Sequence, residues 1–233
     1  MLGWWQELAD LVLPADCAGC GAPRTGLCPR CREALCGTRA QRALPGPAPE
    51  GLPPVYAAGA YTDAVRAVLL AHKERGALRL AAPLGAALAG AVRAVLPTTV
   101  AAAAAGLPLL VPVPSAQRSV AARGHDPVRR IARAAAGELR RGGVPVRACA
   151  VLRQARGVID QSGLSAGERR RNLAGALVVP PGAAGLLTAG PVVLVDDLMT
   201  TGTSLAEGAR AVRAAGGRVI GAAVVAASLT PGG

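Results

Sequence analysis

The sequence predicts an α/β layer architecture with a small amino-terminal cysteine module, and three observations predict it. Beyond residue 54, extended apolar runs alternate with segments of helical periodicity. One run, residues 192–195 (VVLV), is continuously apolar, as in a strand covered on both faces, and leads into paired acids and a small polar stretch. Upstream, five of the six cysteines fall within residues 16–36.

Taken in order, residues 3–13 space Trp4, Leu8, Leu11 and Val12 as the apolar side of a short amphipathic helix that Pro14 ends. Packing of its rings into the nearest core is the plainer role, and a membrane or partner anchor the alternative. Residues 1–40 comprise this helix and the cysteine module. A Pro/Gly-rich passage within residues 41–54 marks a linker, and residues 55–230 form the main domain. Within it, residues 55–61 read as a strand, and residues 63–75 and 78–96 as helices, with Pro83 near the start of the second and Pro97 closing it. Residues 107–112 read as a buried strand, 128–141 as a helix, 147–152 as a strand and 165–173 as a helix. Residues 191–195 are the central strand, 203–215 a helix and 219–227 the final strand.

A chain of 233 residues, 52% of them apolar, suffices for one sizeable core and a small appendage, not for two full domains. The two longest uncharged stretches are interrupted by prolines, so no membrane insertion is expected. The first charges, Glu7 and Asp10, are acidic, unlike a signal peptide, and the expected location is cytoplasmic. The net charge of +12 favours partners that carry phosphate. Arg outnumbers Lys by 25 to 1, which suggests a coding bias in the choice of cation. Trp4, Trp5, Tyr56 and Tyr61 are the only aromatics among Phe, Trp and Tyr, which argues against a stacking platform for single strands and leaves the core to Ala, Val and Leu.

Cys17 and Cys20 are two residues apart, as are Cys28 and Cys31. Two such turns supply four thiolates to one tetrahedral, structural Zn2+. The alternative is a redox dithiol or disulfide, which a cytoplasmic setting disfavours; neither pair is expected to open a helix within a strand-led redox fold. Cys36 lies off the pattern as a spare or substitute ligand, and Cys149 reads as buried in a strand.

After the central strand come Asp196, Asp197, Leu198 and Met199, then Thr200, Thr201, Gly202, Thr203 and Ser204. Gly202 lets backbone approach a ligand, and the N–H groups, hydroxyls and following helix dipole suit a phosphate. The carboxylates suit vicinal ribose hydroxyls and Mg2+. The competing reading is a helix capping box, Ser204 with Glu207, after a strand that merely ends in acids.

This run, two acids followed two residues later by T-T-G and Thr-Ser, resembles the type I phosphoribosyltransferase signature. The resemblance implies a parallel sheet flanked by helices and a site for phosphoribosyl pyrophosphate with Mg2+. More narrowly, the chain is similar to the ComF family of competence proteins, which join a zinc module to such a domain. VPVPS at 111–115, Arg123-Gly124, DQSGLSAGERRRN at 160–172 and Tyr61 followed by Lys73 carry that likeness. It implies that Asp196 and Asp197 hold the ribose as the catalytic pair and that Thr200 to Ser204 hold the 5′-phosphate. It also implies that Pro114 and Ser115 receive pyrophosphate, with Arg118, Arg123 and Lys73 as neutralising cations. Lys73 has a plainer alternative as the cation at a helix C-terminus. Where the family reads R-G-F-N-Q, this chain has His125 and Asp126 in place of the aromatic and the amide; His125 reads as a ring for packing, with binding of a phosphate when protonated as the alternative, and Asp126 as a helix cap.

If the site turns over, pyrophosphate leaves the anomeric carbon and a nucleophile captures the cation-like centre, with charge stabilisation supplied by the protein and Mg2+. No residue reads as a general base. The first reading is thus a phosphoribosyltransferase; the second is a non-catalytic accessory protein of DNA uptake that senses a nucleotide or meets DNA-uptake proteins. A third is binding of single-stranded DNA by Arg129-Arg130, Arg140-Arg141 and residues 169–171, runs that more often form solvated helix faces.

Overall fold

A computed structural model describes residues 16–96, 106–115, 120–121, 123–155 and 175–228. The expected helices at 3–13 and 165–173, Arg118, and the segment 160–172 with its arginines lie outside the described residues.

The elements in chain order are α1 (Pro29–Cys36), β1 (Gln41–Ala43), β2 (Val55–Ala60), α2 (Asp63–Glu74), a 3-10 turn (Leu78–Leu80), α3 (Ala81–Val95), β3 (Leu109–Pro112), α4 (Pro127–Arg141), β4 (Arg147–Ala148), β5 (Arg153–Gln154), β6 (Leu177–Val178), α5 (Pro181–Ala184), a second 3-10 turn (Gly185–Ala189), β7 (Val192–Met199), α6 (Thr203–Ala214) and β8 (Val219–Ala227). Six strands form one sheet in the order β1-β2-β8-β7-β3-β4. All neighbours are parallel except β1, which adds antiparallel to β2 at the edge. β5 and β6 pair separately and antiparallel.

The apolar run predicted to be covered on both faces is so covered. Val193 and Val195 of β7, with Ala223 and Val225 of β8, face α2, α3 and α4 through Val68, Leu84, Leu88, Val92, Ile131 and Leu139. Val192, Leu194, Ala222 and Val224 face α6 and its surroundings through Leu205, Ala209, Val212, Leu152 and Leu187. The largest fully buried side chains are leucines with one isoleucine and one methionine, so the bulk of both cores is aliphatic. Small residues replace volume by proximity: a Cβ at Gly85 of α3 would collide with Ala134 and the backbone of Ala135 in α4. Van der Waals contact between backbones thereby compensates for the missing aromatic area. Residues 78–95 are long and apolar enough to cross a membrane, but α3 packs against α4, β2 and β8.

Three expectations are corrected. The linker over residues 41–54 contains β1, and its remainder is docked: Leu52 packs on the second core and Arg213 of α6 donates to the Gly51 carbonyl at 3.0 Å. The strand expected at 147–152 breaks after Ala148. Cys149 N–H still reaches Leu110 O, but the next ladder donor is Pro112, which has no N–H. The central strand does not stop at Val195; β8 continues beside it, pairing Asp196 with Val224 and Met199 with Ala227. The two acids therefore lie within the strand rather than beyond it.

Candidate functional site

Because Asp196 and Asp197 are consecutive on β7, their side chains leave toward opposite faces. Asp197 follows Val193 and Val195 toward the α2 side and is buried, whereas Asp196 is half-buried. Lys73 Nζ, from the last turn of α2, stands 3.5 Å from Asp197 Oδ2. The only lysine of the chain thus meets the second acid; the resemblance implied a place with pyrophosphate. Asp197 N–H donates to Asp196 Oδ1 at 2.8 Å. Burial, and then the Asp197 charge, push the Asp196 carboxyl well above its usual range, against the pull of the Asp197 N–H and Lys73. Two adjacent acids thus share an incomplete complement of positive charge, the setting in which a metal ion or a cationic ligand gains most.

Beyond Met199 the chain turns through Thr200, Thr201 and Gly202 into α6. Gly202 sits at φ 75, the left-handed region, as the helix N-cap, and supplies no side-chain cap. A Cβ there would also press on Leu52 and Pro45 at 3.1–3.3 Å, so the docked passage makes glycine doubly necessary. Ala206 N–H is the first to bond back to Gly202 O. The N–H groups of Thr203, Ser204 and Leu205 are those a helix start leaves without intrahelical acceptors, and they lie beside the Thr201 and Thr203 hydroxyls, which bond each other at 2.9 Å. Uncapped N–H groups, hydroxyls and the helix dipole are the elements that suit an anion at such a turn.

The capping-box reading does not hold. Glu207, buried in α6, accepts from Leu177 N–H at 3.0 Å and from Arg210 Nε and Nη2 at 2.7 and 2.8 Å. With Gly202 as the N-cap and the helix beginning at Thr203, Glu207 is two residues too late to reach the cap, and it fastens β6 to α6 instead. Its carboxylate in turn holds the Arg210 guanidinium above its ordinary value. Nothing in the S-x-x-E spacing distinguished this tie from a cap; the Glu207/Arg210 spacing of three was the available signal.

One strand over, Val113 N–H bonds Val195 O, so Pro114 and Ser115 leave the tip of β3 beside the acids. They line a cavity of about 400 Å3 with Pro112, Arg129, Arg153 and Gln154. Arg123 lies against the end of α2: its Nη1 donates to Lys73 O at 3.3 Å and stands 3.6 Å from Glu74 Oε1. Asp126 caps α4 as expected, accepting from Arg129 N–H at 3.1 Å.

At the amino-terminal side, the Sγ atoms of Cys17, Cys20, Cys28 and Cys31 lie within 4.8 Å of one another, and none is in a disulfide. Cys20 and Cys28 are 3.6 Å apart, close to the roughly 3.8 Å edge of a tetrahedron with Zn–S bonds of about 2.3 Å. Burial raises the Cys17 thiol, but backbone N–H groups, Cys28 first, outweigh it and bring it down to about 6. Burial and the neighbouring thiols push Cys31 up. Four thiols with opposed affinities for the proton in one small space are what a divalent cation resolves. The donor set therefore fits zinc, with four ligands and no open position. The second pair opens a helix, α1, capped by the Cys28 sulfur, which accepts from Cys31 N–H, but a turn rather than a strand leads into it. Cys36 stands apart, with Sγ 3.6 Å from Pro83 O.

Residues 148–231 match the family model for the phosphoribosyl transferase domain. The match takes in β7, its loop and α6, and leaves out the cysteine module, Lys73 and the tip of β3. No curated protein matches the chain. A phosphoribosyl transferase domain is therefore present in the carboxyl-terminal part of a mixed α/β chain that also carries a four-cysteine cluster.

Proposed function

We propose that this phosphoribosyl transferase domain binds phosphoribosyl pyrophosphate with magnesium at the carboxyl ends of β3 and β7 and transfers its phosphoribosyl group. The observation that carries the reading is the acid pair, placed inside the matched segment directly before an uncapped, glycine-started helix and met from outside that segment by Lys73. In this reading the N–H groups and hydroxyls of Thr200 to Ser204 hold the 5′-phosphate. Asp196 and Asp197 accept hydrogen bonds from the two ribose hydroxyls and orient the anomeric carbon. Ser115 and Arg123 lie on the leaving-group side, where positive charge and N–H donors favour departure of pyrophosphate. Magnesium, when bound, supplies further charge neutralisation to that departure. Lys73, 3.5 Å from Asp197, offsets part of the charge of the acid pair until the ligand arrives.

The pairing of a four-cysteine module with this domain favours a place among ComF-like proteins, and with it a cytoplasmic accessory role in DNA uptake. Calorimetric titration of the full chain with phosphoribosyl pyrophosphate, with and without magnesium, tests the reading. Magnesium-dependent binding that vanishes in Asp196→Asn/Asp197→Asn is expected; a folded wild-type chain that binds in neither condition overturns it. Single-strand binding that weakens in moderate salt with no length threshold would be generic charge attraction.

A further inference from the structure

The two histidines of the chain meet where α2 ends and α4 begins, with ring centroids 5.9 Å apart. His72 is buried on the last turn of α2; its Nδ1 lies 3.4 Å from Ala77 O, and its buried Nε2 has no hydrogen-bond partner among the described residues. Burial, and further the charges of His125 and Arg130, favour the neutral ring over the opposing backbone contacts with Ala77 and Pro127.

His125 is placed differently. Its Nδ1 is 3.0 Å from Arg123 O, and its Nε2 is 3.4 Å from His72 O. Carbonyl oxygens only accept, so a neutral imidazole satisfies one of these contacts and an imidazolium satisfies both. A phenylalanine, the residue of the resembling pattern, would fill the same space and make neither. The carbonyl held by His125 belongs to the residue before Lys73, and the Lys73 carbonyl is held by Arg123. Both lie in the last turn of α2, where carbonyls lack intrahelical donors.

We propose that His125, as imidazolium, is a positioning residue that clamps the last turn of α2 and sets Lys73 against Asp197, so that anion binding at the site strengthens as His125 takes up a proton. The second half rests on the functional reading above. Among the described residues, the charged and titratable groups next to the ring or to its partners are His72, Lys73 and Glu74 from α2, and Arg123, Asp126 and Arg130 from the approach to α4 and its first turn.

Two measurements on the full chain test the clamp. In the first, no ligand is present: histidine ring 15N spectra and hydrogen-exchange protection of residues 74–77 are followed from pH 5 to pH 8. Protection that rises with protonation of the His125 ring, and is flat in His125→Phe, is expected. A wild-type profile independent of that protonation overturns the clamp, whether or not the variant folds. In the second, phosphoribosyl pyrophosphate with magnesium is titrated into wild type, His125→Phe, Lys73→Met and the double variant. His125→Phe is expected to weaken binding about tenfold at pH 6 and less toward pH 8, as for loss of a charged hydrogen bond. It should add nothing in the Lys73→Met background. Equal losses at every pH, or additive losses, overturn the positioning role. If wild type does not bind at all, the functional reading fails and the ligand-free measurement still decides the clamp.

Discussion

Replacing Lys73 by methionine keeps the length of the side chain and removes the cation from the acid pair. At 3.5 Å, one unit charge on another is worth about 5 kcal/mol at an effective dielectric constant near 20. Lys73 is 37% exposed while Asp197 is 8% exposed, so water screens one end only, and the net loss falls between a surface pair and a buried one, at about 2 kcal/mol. For a chain of this size that lowers Tm by about 4–8 °C. The sign of the pH dependence follows from Asp196, whose folded pKa lies above the ordinary 3.8. The folded state then binds more protons than the unfolded one, so stability falls as pH rises from the ordinary value through the raised one. Lys73 moderates that fall, and its removal steepens it. Urea denaturation of wild type and Lys73→Met between pH 5 and pH 8 should show a gap that is widest at pH 8, narrows on acidification, and shrinks when magnesium is added. A gap of the same size at every pH, or no gap, refutes the claim that Lys73 neutralises the pair.

Glu207→Ala should cost about 2 kcal/mol by urea denaturation, because it strands the buried Leu177 N–H and half-exposed Arg210. Gly202→Val should lower stability by about 2–3 kcal/mol, since a β-branched side chain in the left-handed region is strained and would press on Leu52 and Pro45; a melting curve unchanged within a degree contradicts this. Metal analysis of protein purified without chelator should find one zinc per chain, with Cys28→Ser reducing it, and chelation should lower the exchange protection of α2. A metal-free chain with unchanged protection removes the zinc assignment.

What was legible in the sequence was the part whose signal is local. The run 192–195 announced a doubly covered strand by composition alone, and β8 begins and ends at the expected residues, 219 and 227. The four cysteines announced their cluster by spacing. What was not legible depends on partners distant in the chain. Lys73 and Asp197 are brought together by packing of α2 on the sheet, and no spacing encodes it. Glu207 looked like a cap because a cap is a local motif, whereas its partner Leu177 arrives through β6. The break after Ala148 is set by a proline in a different strand. The passage at 44–54 has a linker's composition, yet its Leu52 and Pro45 seat against Gly202 of the loop after β7.

The cysteine module is less separable than a knuckle of its size suggests. A side chain at Gly19 would strike the Cys31 sulfur and touch Val68 of α2, and Leu35 of α1 is fully buried in the first core. The same helix, α2, that packs against the cysteine module carries Lys73 in its last turn. A protein shortened to begin at Val55 would thus lose a wall of its core, an edge strand and the backing of its lysine. The two parts are a single inheritance: exchange of one between relatives carries the other's geometry with it, and substitutions in α2 answer to both at once.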